Sequence, residues 1–351
     1  MRDVLTDLDA WTARGDTAAI ATVVAVKRSA PRPPGAKMAV SSAGDISGAV
    51  SGGCVEGAVV VAAEEVLAGG PPRLLHFGIA DEEAWDVGLP CGGEIDVWIA
   101  RHEDPALADL AREGGRGAHV TRLENGAKLL VLPDGTRSGT LGDDALDAAA
   151  AAIADDLMWA ERSEQVDVEG VALFVDVVAP PPRLIIFGAV DFAAQLCTLA
   201  RISGWRPFIV DPRTRFAQPE RFPDAERVVA AWPEPALEQL GGIDRATSLA
   251  VLTHDPKLDD AALSLALRSD AAYIGAMGSR RAQERRRERL VALGFGDEEQ
   301  ARIAAPIGLD LGGLTAEETA LSIMAEVVAV RRGHEGGRLT HAQGRIHEVG
   351  A

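Results

Sequence analysis

Cys54 follows two glycines in the run Ser51-Gly52-Gly53-Cys54-Val55-Glu56-Gly57. The residues beyond it, Val55, Val59, Ala62, Ala63 and Val66, recur at helical spacing and predict a helix beginning at Cys54. Glycine takes positive φ and lets backbone come close to a ligand. The free N–H groups at a helix start, with the positive end of its dipole, favour anions and thiolates. Two readings of Cys54 stand side by side: a reactive, ligand-facing sulfur, or a small thiol buried on a helix after a tight turn.

A second cysteine repeats the arrangement from the other side. In Gly88-Leu89-Pro90-Cys91-Gly92-Gly93-Glu94, Cys91 precedes its glycine pair, Gly92 and Gly93. Cys54 and Cys91 read as a ligand-facing thiol pair, as a zinc site or as unrelated buried thiols. Zinc is disfavoured, because a structural site wants four ligands and no C-x2-C spacing is present. A reversible disulfide requires the two sulfurs to lie close in space. The third cysteine, Cys197, sits among Ala194, Leu196 and Leu199 in an apolar helix and reads as core.

Anion chemistry is suggested elsewhere. Lys27 to Met38 holds four Lys or Arg in twelve residues, with three prolines that forbid a helix, so it reads as a cationic cradle or a solvated loop. Gly188-Ala189-Val190-Asp191-Phe192-Ala193 follows a short apolar strand, Leu184–Phe187, and opens a helix. A second strand then ends at Asp211, where a nucleotide-binding βαβ unit would hold a ribose hydroxyl. Gly188 alone of that fingerprint's glycines is kept, and Val190 puts a branched side chain where a pyrophosphate would approach, so NAD(P) is disfavoured. His254, with Asp255, ends another strand, where open parallel sheets bind ligands; a plain hydrogen-bonded loop pair is the alternative. Gly278-Ser279-Arg280-Arg281 then begins a helix with six arginines between 280 and 289. Ser279 can cap it, and its start with Arg280 can hold a phosphate; a solvated helix pairing its arginines with Glu284 and Glu288 is the alternative.

The elements that must position these residues fall into two halves. Residues 1–179 read as a mixed α/β domain: an amphipathic helix with Val4, Leu5, Leu8 and Trp11 on one side, a buried strand Ala19–Val26, short strands with turns at Asn125-Gly126 and Asp134-Gly135, and an alanine-rich helix from Asp143. The prolines at 180–182 read as a linker. Residues 180–333 alternate strand and helix, which predicts a Rossmann-like parallel sheet, and Thr315 with Glu318 predicts a capping box for the last helix. Residues 334–351 form a polar tail.

The 351 residues are 47% apolar and 25% charged, a globular composition. A net charge of −18 argues against nucleic acid and anionic membranes as partners. No apolar run reaches the ~18–20 residues of a membrane span, and no signal-peptide pattern opens the chain. Three cysteines make no disulfide framework, and the chain reads as cytoplasmic.

Six ordered stretches, PRPPGAKM at 31–38, SGGCVEG at 51–57, GLPCGGE at 88–94, LTHDP at 252–256, GAMGSRR at 275–281 and PIGLDLG at 306–312, together resemble the xanthine dehydrogenase accessory factor (XdhC/CoxI) family. The departure is at Gly188–Ala193, where many members carry a more glycine-rich loop with a histidine. The resemblance implies a chaperone that binds the molybdenum cofactor, molybdopterin in its mono- or dinucleotide form. Such a protein helps a cysteine desulfurase sulfurate the cofactor and delivers it to a client molybdoenzyme of the xanthine or carbon monoxide dehydrogenase type; members are commonly homodimers. On that reading Cys54 is the cofactor-contacting or sulfur-handling thiol and Cys91 its partner. The glycine turns at Gly52, Gly53, Gly92, Gly93 and Gly188, with Asp211, Gly278 and Ser279, approach the cofactor. Arg280 and Arg281 hold phosphate, and His254 lines the cleft between domains. An NAD(P)-dependent oxidoreductase built on the second domain is the alternative.

Overall fold

The computed structural model describes residues 1–28, 30–78 and 93–341, so Cys91 and Gly92 lie outside the described residues. The chain forms two compact units, Met1–Pro180 and Pro181–Ala351.

The first unit begins with α1 (Arg2–Arg14), β1 (Ala18–Lys27), β2 (Lys37–Ser41), β3 (Ile46–Gly48), α2 (Glu56–Leu67), β4 (Arg73–Phe77) and β5 (Glu94–Arg101). It continues with α3 (Ala106–Glu113), β6 (Gly117–Arg122), β7 (Lys128–Val131), β8 (Arg137–Thr140), α4 (Asp144–Ala160), β9 (Glu164–Val168) and β10 (Val171–Val178). The strands make two antiparallel five-stranded sheets, ordered β3-β2-β1-β5-β4 and β8-β7-β6-β10-β9. Because side chains alternate along a strand, each sheet serves two cores. Ala21, Val23, Met38, Val40, Val97 and Ile99 face Val59, Ala62, Ala63 and Val66 of α2. The opposite face supplies Val24 and Trp98, which meet Phe174 of the second sheet and Leu123. Helix α4, capped by the Asp143 carboxylate, covers the far side of the second sheet through Leu146, Ala150, Leu157 and Met158. The predicted hairpins form at Asn125-Gly126 and Asp134-Gly135; β9, an edge strand of polar and β-branched residues, was not foreseen.

The second unit runs β11 (Arg183–Phe187), α5 (Asp191–Ile202), β12 (Arg206–Val210), β13 (Arg227–Val229), α6 (Pro233–Gln239), β14 (Thr247–Val251), α7 (Pro256–Leu267), β15 (Tyr273–Ala276), α8 (Arg280–Ala292), α9 (Asp297–Gln300), β16 (Ile303–Ala304) and α10 (Ala316–Arg331). All six strands are parallel, in the order β13-β12-β11-β14-β15-β16. Helices cover both faces. Ile185, Phe187, Val210 and Val251 pack towards α6, α7 and α8, while Leu184, Ile186, Ile209 and Ala250 pack towards α5 and α10. The strand order reverses between β11 and β14, and in such sheets the ligand crevice opens at that point, beyond the carboxyl ends. Among the described residues no helix is long and apolar enough to cross a membrane.

Candidate functional site

In the first unit the chain turns through residues 50–55 before α2, and Cys54 lies half-buried against the core between α2 and its sheet. Gly53 has φ 109°, a conformation side chains resist, whereas Gly52 has ordinary backbone with Pro31 of the basic loop 3.9 Å from where a Cβ would stand. The helix starts at Glu56, two residues later than its apolar stripe predicts. The Glu56 carboxylate reaches back over the turn. Oε1 accepts from the Ser51 N–H at 2.8 Å, and Oε2 accepts from the Ser51 hydroxyl at 2.7 Å, the Gly53 N–H at 3.0 Å and the Val55 N–H at 3.2 Å. The Cys54 N–H donates to Ser51 Oγ at 3.2 Å. Burial pushes the Glu56 carboxyl up, but the Ser51 hydroxyl and the backbone N–H groups of Ser51, Glu56 itself and Val55 outweigh it and hold the group below the ordinary carboxylate value. The N–H groups that flank Cys54 in the turn are therefore held by the chain's own carboxylate, and these donors all precede the helix start at Glu56. Glu56 had no role in the sequence reading, although an acid in a helix's first turn is a recognisable signal. Gly93 is buried at the entry to β5.

Three of the four cations between Lys27 and Met38 face carboxylates of the chain itself, and the fourth, Arg28, is exposed. Lys37 lies inside β2 at 2% exposure, forms an ion pair with Asp176 and donates to Thr22 Oγ1 at 3.1 Å. Arg32 pairs with Asp3, and Lys27 lies 3.5 Å from Glu94.

In the second unit the predicted residues gather at the carboxyl edge of the sheet. Gly188 directly follows β11 with φ 115°, and a Cβ there would stand 2.9 Å from Cγ2 of Thr253, two residues past β14, so the two turns pack closely only with glycine. Asp211 is 0% exposed. Its Oδ2 accepts from the Ala189 N–H at 2.9 Å and from Arg213 Nη2 at 2.7 Å; its Oδ1 accepts from Arg213 N and Nε, both at 2.9 Å. Burial raises the Asp211 carboxyl, and the Arg213 guanidinium with the two backbone donors overcomes this and holds it low. Arg221 Nη1 donates to the Ala189 carbonyl at 3.2 Å, closing the other side of the turn. The acidic residue expected to accept from a ribose hydroxyl is thus already bonded on both oxygens, by Arg213 and the Ala189 N–H.

Beyond β14, His254 is exposed, and Asp255 caps α7 by accepting from the Lys257 N–H at 2.9 Å. The adjacent Thr253 hydroxyl bonds to buried Asp259, whose Oδ2 lies 2.9 Å from Arg286 Nη2. Arg286 Nη2 also donates to the Met277 carbonyl at 2.7 Å, and Gln283 Nε2 to the Gly278 carbonyl at 3.0 Å. Asp259 and Arg286 therefore bind the turns after β14 and β15 to each other. The sequence reading missed both, yet Arg286 lies one helical turn before Leu290 and shares its buried face. Ser279 caps α8, accepting from the Ala282 N–H at 3.3 Å. The arginines of α8 do not pair with Glu284 and Glu288: Arg286, Arg287 and Arg289 reach Asp259, Asp297 and Asp260 on neighbouring helices. Arg280 and Arg281 are exposed in the first turn with no carboxylate partner among the described residues. The 306–312 loop joins this edge through the Ile307 N–H on the Ala276 carbonyl at 3.1 Å. It is anchored by Glu326, which accepts from the Gly308 N–H at 2.8 Å and from the Tyr273 hydroxyl; burial and this carboxylate push the Tyr273 phenol far above its usual value.

Cys197 is buried in α5, its thiol pushed up to about 12 by burial, in keeping with a core residue. Among the described residues no group of three or more His, Cys, Asp or Glu could hold a metal ion.

The second unit thus combines a dinucleotide-binding topology, an acidic strand end paired with Arg213 and a cationic helix start, and the first unit carries a glycine–cysteine turn. The chain belongs to the XdhC and CoxI family: residues 11–78 match the description of that family, and residues 184–327 that of its XdhC Rossmann domain. The molybdenum cofactor insertion chaperone PaoD of Escherichia coli K12 is 31% identical over 321 residues, 90% of this chain and 84% of that protein. A probable xanthine dehydrogenase component of Bacillus subtilis 168 is 27% identical over 335 residues, 93% of this chain and 97% of that one. The crystal structure of a xanthine dehydrogenase from Bacillus halodurans has the same fold, with a TM-score of 0.64 at 23% identity over 96% of this chain and 97% of that one.

Proposed function

We propose that this protein is a molybdenum-cofactor-binding chaperone that assists sulfuration of the cofactor and its insertion into a client molybdoenzyme of the xanthine or carbon monoxide dehydrogenase type. The observation that carries the reading is the likeness, along 90% of the chain, to a protein named a molybdenum cofactor insertion chaperone. The geometry supports it. Molybdopterin carries phosphate and a dithiolene. Arg280 and Arg281, without a carboxylate partner among the described residues at a Ser279-capped helix start beside Gly278, suit the phosphate of the mono- or dinucleotide form. The Cys54 thiol suits a soft molybdenum–sulfur centre or a sulfur in transit, with Cys91 as its partner. Gly188, Thr253 and His254 form the edge along which the ligand lies. When bound, the cofactor supplies the redox centre that the client enzyme uses. The partners in this reading are a cysteine desulfurase, the client and a second copy of the chain, in the cytoplasm. A nicotinamide-dependent oxidoreductase is set aside because Arg213 fills Asp211.

The test is anaerobic equilibrium binding of molybdenum cofactor to wild type, Cys54→Ser and the double variant Arg280→Gln/Arg281→Gln, with NADH and NADPH as parallel ligands. Saturable pterin binding weakened by both variants is expected. Saturable nicotinamide binding without pterin binding would overturn the reading.

A further inference from the structure

Four hydrogen bonds from outside α2 converge on one side chain in its first position. The donors to Glu56, which are the Ser51 N–H, the Ser51 hydroxyl, the Gly53 N–H and the Val55 N–H, all precede the helix. A residue that only capped α2 would satisfy the N–H groups of the helix's own first turn. Glu56 instead gathers the turn that carries Cys54, and it secures the Cys54 N–H indirectly, through Ser51 Oγ. Gly53, at φ 109°, supplies the bend that lets donors on both sides of it face one carboxylate. With Cys54 half-buried against the α2 core, the position of its sulfur follows from the shape of this turn.

We infer that Glu56 is the positioning residue of the Cys54 turn: its ionised carboxylate fixes residues 51–55 in one conformation and thereby sets how the Cys54 sulfur is presented. The positioning itself is a property of this chain alone; its bearing on ligand handling rests on the chaperone reading of Cys54. The turn holds the thiol in one pose without lending it the N–H groups of Gly53 and Val55, because Glu56 has taken them. Charged acceptors make the stronger hydrogen bonds, so neutralising Glu56 weakens the whole set at once.

The experiment compares the full-length wild type with Glu56→Gln, which keeps the shape and loses the charge, and with Glu56→Ala, which loses both. Amide hydrogen exchange is followed at Ser51, Gly53 and Val55, with Val59–Val66 of α2 as an internal reference. The rate of Cys54 modification by a pyridyl disulfide is read by peptide mass spectrometry, so that Cys91 and Cys197 do not contribute. Loss of charge-assisted bonds predicts exchange at Gly53 and Val55 faster by roughly tenfold, and a several-fold rise in Cys54 modification, while α2 stays protected. Unchanged exchange at Gly53 and Val55 would overturn the inference. So would a loss of protection spread evenly through α2, which would make Glu56 a plain helix cap. A Cys54→Ala chain separates this result from the chaperone reading. It should keep Ser51, Gly53 and Val55 protected; if it also retains molybdenum cofactor as well as wild type does, the thiol's proposed role fails while the positioning of the turn stands.

Discussion

Lys37 of β2 and Asp176 of β10 meet in a buried ion pair that joins the two sheets of the first unit. Lys37 is 2% exposed, and its Nζ also donates to Thr22 Oγ1 beside it on β1. Breaking such a pair leaves one charge buried without a partner, whereas replacing both ends with apolar groups removes the problem. Lys37→Met alone should therefore cost about 3–5 kcal/mol in urea unfolding followed by tryptophan emission, and Lys37→Met/Asp176→Leu should recover most of that loss. Equal stability in the single and double variants would show that the pair does not join the sheets energetically.

The arginines of α8 should divide by their partners. Arg280→Gln/Arg281→Gln removes two exposed guanidiniums with no carboxylate to strand, so the melting temperature should hold while pyrophosphate binding weakens and loses salt dependence. Arg286→Gln leaves Asp259 buried and uncompensated beside Thr253 and should destabilise the chain by several kcal/mol, on the order of other broken buried pairs. Thermal melts and an anion titration on the same three proteins check both statements.

Part of this division was legible in the sequence. The parallel sheet followed from apolar strands alternating with helices, and the glycine–cysteine turn from residue types alone. Lys37 was not legible, because one step of register decides whether a strand residue faces solvent or the partner sheet, and the prolines before it hid where β2 begins. Arg280 and Arg286 are the same residue type in one charged run, and only helix phase separates a free cation from a structural one. Glu56 was hidden for another reason: its reach backwards depends on the shape of the turn, which spacing does not encode. Asp211 was correctly placed at its strand end, but its meaning changed with Arg213, two residues on.

Asp211 predicts a pH effect with a definite sign. Burial opposes its ionisation and Arg213 favours it, and the net effect holds the folded group below its ordinary value of 3.8. A carboxyl depressed by folding stabilises the protein above the ordinary value and loses that contribution as pH falls through the folded one. The stability gap between wild type and Arg213→Ala should accordingly be widest near neutrality and narrow below about pH 4 in thermal melts. A gap independent of pH between 3 and 7 would contradict the assignment (the interval brackets roughly the carboxylate range).

Thiol chemistry should single out one described cysteine from the other. Cys54 is half-buried on a turn, while Cys197 is enclosed in α5 with its thiol raised to about 12 by burial. Native-state alkylation at pH values of about 7–8, the range just below an ordinary thiol's pKa, should modify Cys54 and leave Cys197 intact until denaturant is added. Modification of both at similar native rates would mean that the α5 core opens readily.

The bond between Arg213 and Asp211 makes the guanidinium a competitor tethered to its own target. A ligand's ribose would arrive from solution, whereas the guanidinium is held two residues away at an effective concentration on the order of millimolar or higher, and it brings a full charge to a buried carboxylate. A dissolved nucleotide's ribose would have to displace that tether before it could bond to Asp211, so the second unit keeps the dinucleotide topology with its acidic strand end already engaged. Among the cations left exposed at this edge of the sheet are then Arg280 and Arg281 on the α8 side, with no carboxylate partner among the described residues.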